Sequence, residues 1–185
     1  IDSPNEALRV LGDNLVSTLQ VVAKDLKIQV HFDPKSVERW RLIGYENRVL
    51  ANEDFENDDV DAGDVGAGHS VTALYELDLT ENPSGGNLAR VLIRYKEPTA
   101  DESTEHDFIL TADDRNESFA GSTPSLRMAA AVAEFGEILR GSEHSVGKRF
   151  EDVLNIAETA INEGEVSTIE EEFLNLISIA QELSE

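Results

Sequence analysis

Residues 40–79 read WRLIGYENRVLANEDFENDDVDAGDVGAGHSVTALYELDL, and this stretch decides the fold class. It opens on a strand predicted over Arg39–Tyr45, with Trp40 and Leu42 on one face and Ile43 and Tyr45 on the other. From Glu46 to Asp64 no hydrophobic period is sustained, which predicts a long ordered loop with a short turn of helix near Glu53. Loops of this length often carry binding functions. Gly63, Gly66 and Gly68 then punctuate the entry to the longest strand, in which Val71, Ala73, Tyr75, Leu77 and Leu79 alternate with Thr72, Leu74, Glu76 and Asp78. The turn cluster Asn82-Pro83-Ser84-Gly85-Gly86 follows, and Leu88–Tyr95 reads as the returning arm of a hairpin.

Upstream, Leu26, Ile28, Val30 and Phe32 alternate with Lys27, Gln29 and His31, the pattern of a half-buried strand stopped by Asp33-Pro34. The alternation predicts that the four apolar residues face the core and the polar three do not. Before it, Ser3-Pro4-Asn5-Glu6 has the form of a capping box, and Leu8, Leu11, Leu15, Leu19 and Val22 recur at helical spacing. Downstream, a polar linker from Glu97 to Glu105 leads to a strand at His106–Ala112. Three helices follow. Thr123-Pro124 opens the first, which carries the small residues Ala129, Ala130, Ala133 and Gly136 and closes at Gly141. Phe150, Val153, Leu154, Ala157 and Ile161 stripe the second, ended by Gly164. Thr168-Ile169-Glu170-Glu171 reads as a capping box for the third, striped by Ile169, Phe173, Leu176, Ile177 and Ala180.

Strands first and helices afterwards argue for α+β rather than a parallel α/β sheet. The expected architecture is an antiparallel, sandwich-like β layer of about five or more strands with an N-terminal helix and three C-terminal helices. Its expected divisions are a helix over 1–24, a β-rich module over 25–115, and a helical segment over 116–185 packed on that module.

Composition narrows the function. The chain has 185 residues, and its 15 basic residues against 38 acidic ones leave a formal net charge of −23. Such a surface has little from which to form phosphate contacts, so nucleic acid is an unfavourable partner, and anionic membranes are disfavoured for the same reason. No apolar run approaches the ~20 residues that span a bilayer, so membrane insertion of this segment is not expected. With no cysteine, thiolate metal sites and cysteine nucleophiles are excluded. Starting at Ile1 without a signal peptide in view, the chain reads as part of something longer.

No motif commits the chain to a chemistry. Gly63-Asp64-Val65-Gly66-Ala67-Gly68 precedes a strand rather than a helix and lacks a following lysine, so a backbone bend accounts for it better than a phosphate loop. Asp54, Asp58, Asp59, Asp61 and Asp64 offer oxygen ligands, and Asp58, Asp59, Asp61 and Asp64 are the candidates for a cation site. A helix-loop-helix calcium frame started at Asp54, Asn57 or Asp59 fails at the glycine, the last glutamate or both. A solvated acidic loop is the favoured reading. His69-Ser70 are adjacent, and neighbours on a strand point to opposite faces, which argues against a serine triad. No catalytic residue and no cofactor is expected.

AKDLKIQVHFDP (23–34), RLIGYENRVLANEDF (41–55) and DAGDVGAGHSVTALYEL (61–77) resemble the region that follows the von Willebrand factor type A domain in a family of bacterial envelope proteins. The likeness covers most of the chain and is specific over 23–77. It implies an uncharacterised C-terminal module, with 1–24 as the end of the preceding domain and a cell-envelope or extracellular location. The family's metal-dependent adhesion site uses a DxSxS sequence in that preceding domain. Only Asp2-Ser3 suggests it here, and Asn5 stands where a serine is needed. The resemblance therefore implies a non-catalytic accessory module whose partners are the upstream von Willebrand factor A domain and an unknown protein. The alternative is a calcium-responsive binding module built on residues 53–64, with an enzyme third.

Overall fold

A computed structural model describes residues 20–44, 54–81, 86–161 and 166–184. The chain divides into two compact units, residues 1–114 and 115–185. Within the first, the strands are β1 (Val21–Phe32), β2 (Val37–Ile43), β3 (Gly63–Gly66), β4 (Leu74–Leu79), β5 (Asn87–Lys96) and β6 (Ser103–Thr111). They form a four-stranded antiparallel sheet in the order β3-β1-β5-β6 and a two-stranded antiparallel sheet of β2 and β4. The second unit holds α1 (Pro124–Leu139), α2 (Phe150–Ile161) and α3 (Thr168–Ser184). Strands and helices are segregated as the α+β reading expects, in antiparallel sheets followed by three helices. The helix expected over residues 1–24 lies outside the described residues up to Leu19, and Val21–Lys24 belong to β1 instead.

The register of β1, β5 and β6 sorts side chains by face. Ile28 pairs with Ile93, Val30 with Val91 and Phe32 with Ala89, and these rows continue on β6 to His106, Phe108 and Leu110. The opposite face carries Lys27 against Arg94, Gln29 against Leu92 and His31 against Arg90, continuing to Glu105, Asp107 and Ile109. One face is thus apolar and the other charged, as period-2 alternation requires.

Burial does not follow that division. Lys27 is 2% exposed while Ile28 is 39% exposed, so the expectation that the apolar residues of β1 are buried and the polar ones are not is corrected at these two positions, while His31 is exposed and Leu26, Val30 and Phe32 are half-buried. At the Lys27 end the charged face is the covered one, because the segment from Asp54 to Ala62 lies on it there, whereas His31 and Arg90 further along that face are exposed and Phe32 and Ala89 on the apolar face are covered. Phe55 within that segment and Leu88 and Leu92 on β5 are buried too.

The second correction concerns pairing. β4 pairs with β2, Trp40 opposite Leu77 and Leu42 opposite Tyr75, whereas β5 pairs with β1 and β6. The hairpin expected between 71–79 and 88–95 does not form. Apolar alternation marks each strand but is silent on its neighbour. The two sheets meet through Phe32, whose ring centroid lies 5.3 Å from both Trp40 and Tyr75. The expected strand at 39–45 begins two residues earlier at Val37 and is described to Ile43, Tyr45 lying outside the described residues. The glycines expected to lead into a strand form β3 itself, and Gly68 at φ +80° then supplies the left-handed turn that carries the chain away.

In the helical unit Thr123 caps α1, accepting from the Leu126 amide, and Pro124 fills the first turn. Gly141, at φ +65°, follows its end. Ala131, Val153, Ala157 and Ile177 are fully buried and form the core, with Met128, Phe135, Phe150 and Phe173 packed against them. Phe135 lies 5.6 Å from Phe150 and 5.5 Å from Phe173, centroid to centroid. The stripe expected on α3 is split. Phe173, Ile177 and Ala180 turn inward, while Ile169 and Leu176 stand 59% and 54% exposed. Its capping box sits one residue earlier than expected. The Ser167 hydroxyl accepts from the Glu170 amide (3.3 Å), and the Glu170 carboxylate accepts from the Ser167 amide (2.8 Å). Among the described residues no helix is long and apolar enough to cross a membrane.

Candidate functional site

The acidic loop is the feature that the sequence singles out, and the structure binds its described part to the charged face of the sheet. β1 supplies Lys24, Asp25 and Lys27, β5 supplies Arg94 and Lys96, and β6 supplies Ser103 and Glu105. Two residues of β1, Asp25 and Leu26, fit where β5 has only Tyr95, since Lys24 pairs with Lys96 and Lys27 with Arg94. This is a β-bulge, and such insertions re-aim a side chain. Asp25 adopts a left-handed φ of +52°, which a short polar side chain tolerates.

From that position Asp25 makes three contacts. Its carboxylate accepts from the Ala62 amide (3.2 Å) and from Lys96 Nζ (2.9 Å), and its own amide donates to Asp64 Oδ1 (3.2 Å). Lys96 also donates to the Asp58 carbonyl (3.0 Å). Lys27 reaches the loop backbone, donating to the carbonyls of Asp54 (3.0 Å) and Asn57. Asp58 Oδ1 accepts from Arg94 Nη2 (3.1 Å), Arg94 Nε (3.3 Å) and the Ser103 hydroxyl. Arg94 completes the cluster with Glu105, 3.8 Å away. Three cations and a hydroxyl therefore hold the loop by a mixture of backbone carbonyls and one carboxylate.

The electrostatics follow the contacts. The Lys96 ammonium, then the Ala62 amide, hold the Asp25 carboxyl below the ordinary carboxylate range. The Ser103 hydroxyl, helped by Arg94, does the same for Asp58. Lys96 is raised in turn by its bond to Asp25. Each shift favours the ionised form, so the contacts are mutually reinforcing.

The four candidate cation ligands are not brought together. Asp58 is spent on Arg94 and Ser103, Asp64 turns to the Asp25 amide, and Asp59 and Asp61 are exposed. Among the described residues no group of three or more histidines, aspartates or glutamates could hold a metal ion. The reading of the loop as simply solvated is also corrected, since Asp58 and the carbonyls of Asp54 and Asn57 are engaged by cations of the sheet. His69 closes the turn after β3, its amide donating to the Gly66 carbonyl (3.0 Å), and Ser70 follows it, neither lying on a strand.

Sequence reasoning missed the partners: Asp25, Lys27, Arg94, Lys96 and Ser103. A signal was present. In a chain with only 15 basic residues, Lys24 and Lys27 fall three apart on one strand, and Arg90, Arg94 and Lys96 share another. Cations concentrated on two strands beside an acidic loop are its natural counter-charge.

Elsewhere the polar groups serve structure. The Tyr95 and His106 rings stack at 5.6 Å, Arg90 pairs with Asp107 at 2.8 Å, and Arg41 pairs with Glu76 at 2.8 Å. A shallow cleft in the helical unit is lined by Ile138, Phe150 and Gln181 among others, and its cations Lys148 and Arg149 already pair with Glu134 (3.1 Å) and Glu151 (3.0 Å).

Comparison with known proteins gives two sequence matches. Residues 17–183 match the profile of a family described as the uncharacterized protein YfbK, C-terminal. The uncharacterized protein YfbK of Escherichia coli (strain K12) is 35% identical over 198 aligned residues, which cover 97% of this chain and 33% of the relative. The chain thus spans about a third of the length of that curated relative. No solved structure matches.

Proposed function

This chain belongs to the family of the C-terminal region of the uncharacterized protein YfbK, and from that premise we propose that it is a non-catalytic accessory and interaction module. In this reading it works beside a von Willebrand factor A domain in a longer polypeptide of the bacterial envelope, supporting that domain and presenting a surface to another protein. The observation that carries the non-catalytic part is the use made of the acidic loop. Its carboxylate Asp58 is paired with Arg94 and bonded by the Ser103 hydroxyl, and its backbone is held by Lys27 and Lys96. A catalytic carboxylate needs an open face toward a substrate and a tuned proton affinity. Asp58 has its proton affinity driven down and its oxygen occupied, which suits a latch.

Two measurements test the proposal. Calcium titrated into the protein by calorimetry should release no binding heat and should leave the melting temperature unchanged. Stoichiometric binding lost on replacing Asp58, Asp59 and Asp61 together by asparagine would establish the calcium-responsive alternative instead. The supporting role is read from the full-length relative with and without the region matching residues 20–184. Lower thermal stability of the remaining part after removal is the expected result, and an unchanged melting profile contradicts it.

A further inference from the structure

β6 is the outer strand of the four-stranded sheet, and among the described residues it pairs with β5 alone. Natural sheet edges of this kind are blunted by charged side chains (lysine above all), proline, a bulge, shortness or a covering segment. β6 has nine residues, STEHDFILT, without proline or lysine, its acids Glu105 and Asp107 lie 3.8 Å from Arg94 and 2.8 Å from Arg90 of the same sheet, and its register with β5 is unbroken from Ser103 to Leu110. Phe108, Ile109 and Leu110 stand 54%, 56% and 40% exposed in succession.

The edge also has a defined reach. At its end the Thr111 amide donates to Asp114 Oδ2 (2.7 Å), whereas the next amide, Ala112, turns back to the Gly86 carbonyl (3.4 Å). Backbone alternation along an antiparallel strand then aims the amides of Ile109, Asp107 and Glu105 away from β5. Asp114 closes the row, and among the described residues no strand pairs with the three amides before it.

Side chains specify what fits there. On one face β6 carries Thr104, His106, Phe108 and Leu110, and on the other Glu105, Asp107 and Ile109. A strand added alongside places alternate residues next to Phe108 and Leu110, where apolar groups pack, and the others beside Glu105 and Asp107, where cations are favoured. Arg90 pairs with Asp107 (2.8 Å) and Arg94 lies 3.8 Å from Glu105, but the segment from Glu97 to Glu117 holds eight acidic residues and one arginine, so its sign is net negative. A second copy of the chain, also at −23, is electrostatically the wrong occupant.

We propose that β6 is a docking edge for an extended segment of a partner protein that alternates basic and apolar residues and joins the sheet by main-chain pairing. The inference rests on the interaction-module reading and names the partner's chemistry.

The probe is a capped synthetic peptide as long as β6, alternating lysine and valine, added to the whole chain at low salt. Amide exchange of Glu105, Asp107 and Ile109 should slow by about tenfold or more at saturation. A peptide of the same composition in block order should bind about tenfold more weakly or worse. An alternating glutamate–valine peptide, and a lysine–valine peptide N-methylated on the pairing amides, should not bind. Ile109→Pro should abolish the protection, and the N-methylated peptide makes the same point should that variant fail to fold. Equal binding of the block-order peptide would reduce the effect to charge and overturn the proposal. So would full protection of the three amides in the free monomer, or sedimentation showing self-association that Ile109→Pro abolishes. Failure of every peptide sinks the partner chemistry and leaves the calcium and truncation measurements to judge the accessory role separately.

Discussion

Lys96 Nζ lies 2.9 Å from Asp25 Oδ2, tying the final residue of β5 to the bulged residue of β1. The bulge and the loop anchor are therefore one device. The extra residue in β1 turns the Asp25 carboxylate toward Lys96 and the Ala62 amide, and Lys96 in turn holds the Asp58 carbonyl.

Lys27 is the member of this cluster with the most to lose. It is 2% exposed and donates to two loop carbonyls. Lys27→Met keeps much of the side-chain volume and strands both acceptors, so it should lower unfolding free energy by about 1–3 kcal/mol in urea titration. Asp61→Asn, at an exposed position, should stay within about 0.5 kcal/mol of the parent. Equal effects at the two positions would refute the latch.

The clamp predicts how stability depends on pH. Asp25 and Asp58 are depressed in the folded protein, so their contribution is complete above the unfolded value of about 3.9 and is lost as pH falls through the depressed folded values. Lys96 is raised, so its contribution is complete below about 10.4 and is lost as pH rises through the raised value. The urea midpoint should fall on the acid side below about pH 4 and again in strong alkali. Asp58→Asn should lower the midpoint at neutral pH and flatten the acid limb. An acid limb identical to the parent's means that Asp58 is not coupled to folding.

The position of the third helix's cap is testable at two adjacent residues. Ser167→Ala removes the hydroxyl that receives the Glu170 amide and should cost about 1 kcal/mol. Thr168→Ala lies inside the first turn, where alanine is a better helix former, and should be neutral or slightly stabilising. Thermal unfolding of both variants decides the register.

Core truncations should separate the two units' apolar residues. Ile177 is fully buried among Ala131, Val153 and Ala157, so Ile177→Ala should cost about 2–5 kcal/mol. Ile28 is 39% exposed, and Ile28→Ala should cost about 1 kcal/mol or less. A loss at Ile28 as large as at Ile177 would show that the apolar sheet face is covered at Ile28 in solution.

The sequence by itself determined the class of fold and the place of most elements. Local signals suffice for these. Alternation marks β1 and β5, Thr123-Pro124 marks the start of α1, and the apolar period marks α2. Tertiary structure decided the rest. Which strand neighbours which depends on contacts far apart in sequence, so β4 joined β2 rather than β5 without any change in its own pattern. Which face of β1 is covered at Lys27 and Ile28 depended on the acidic loop, which closed over Lys27 and left Ile28 half in solvent. The same long-range closure gave Asp58 its cationic partners. A carboxylate in a run of acids looks solvated until the chain brings Arg94, thirty-six residues away, to 3.1 Å.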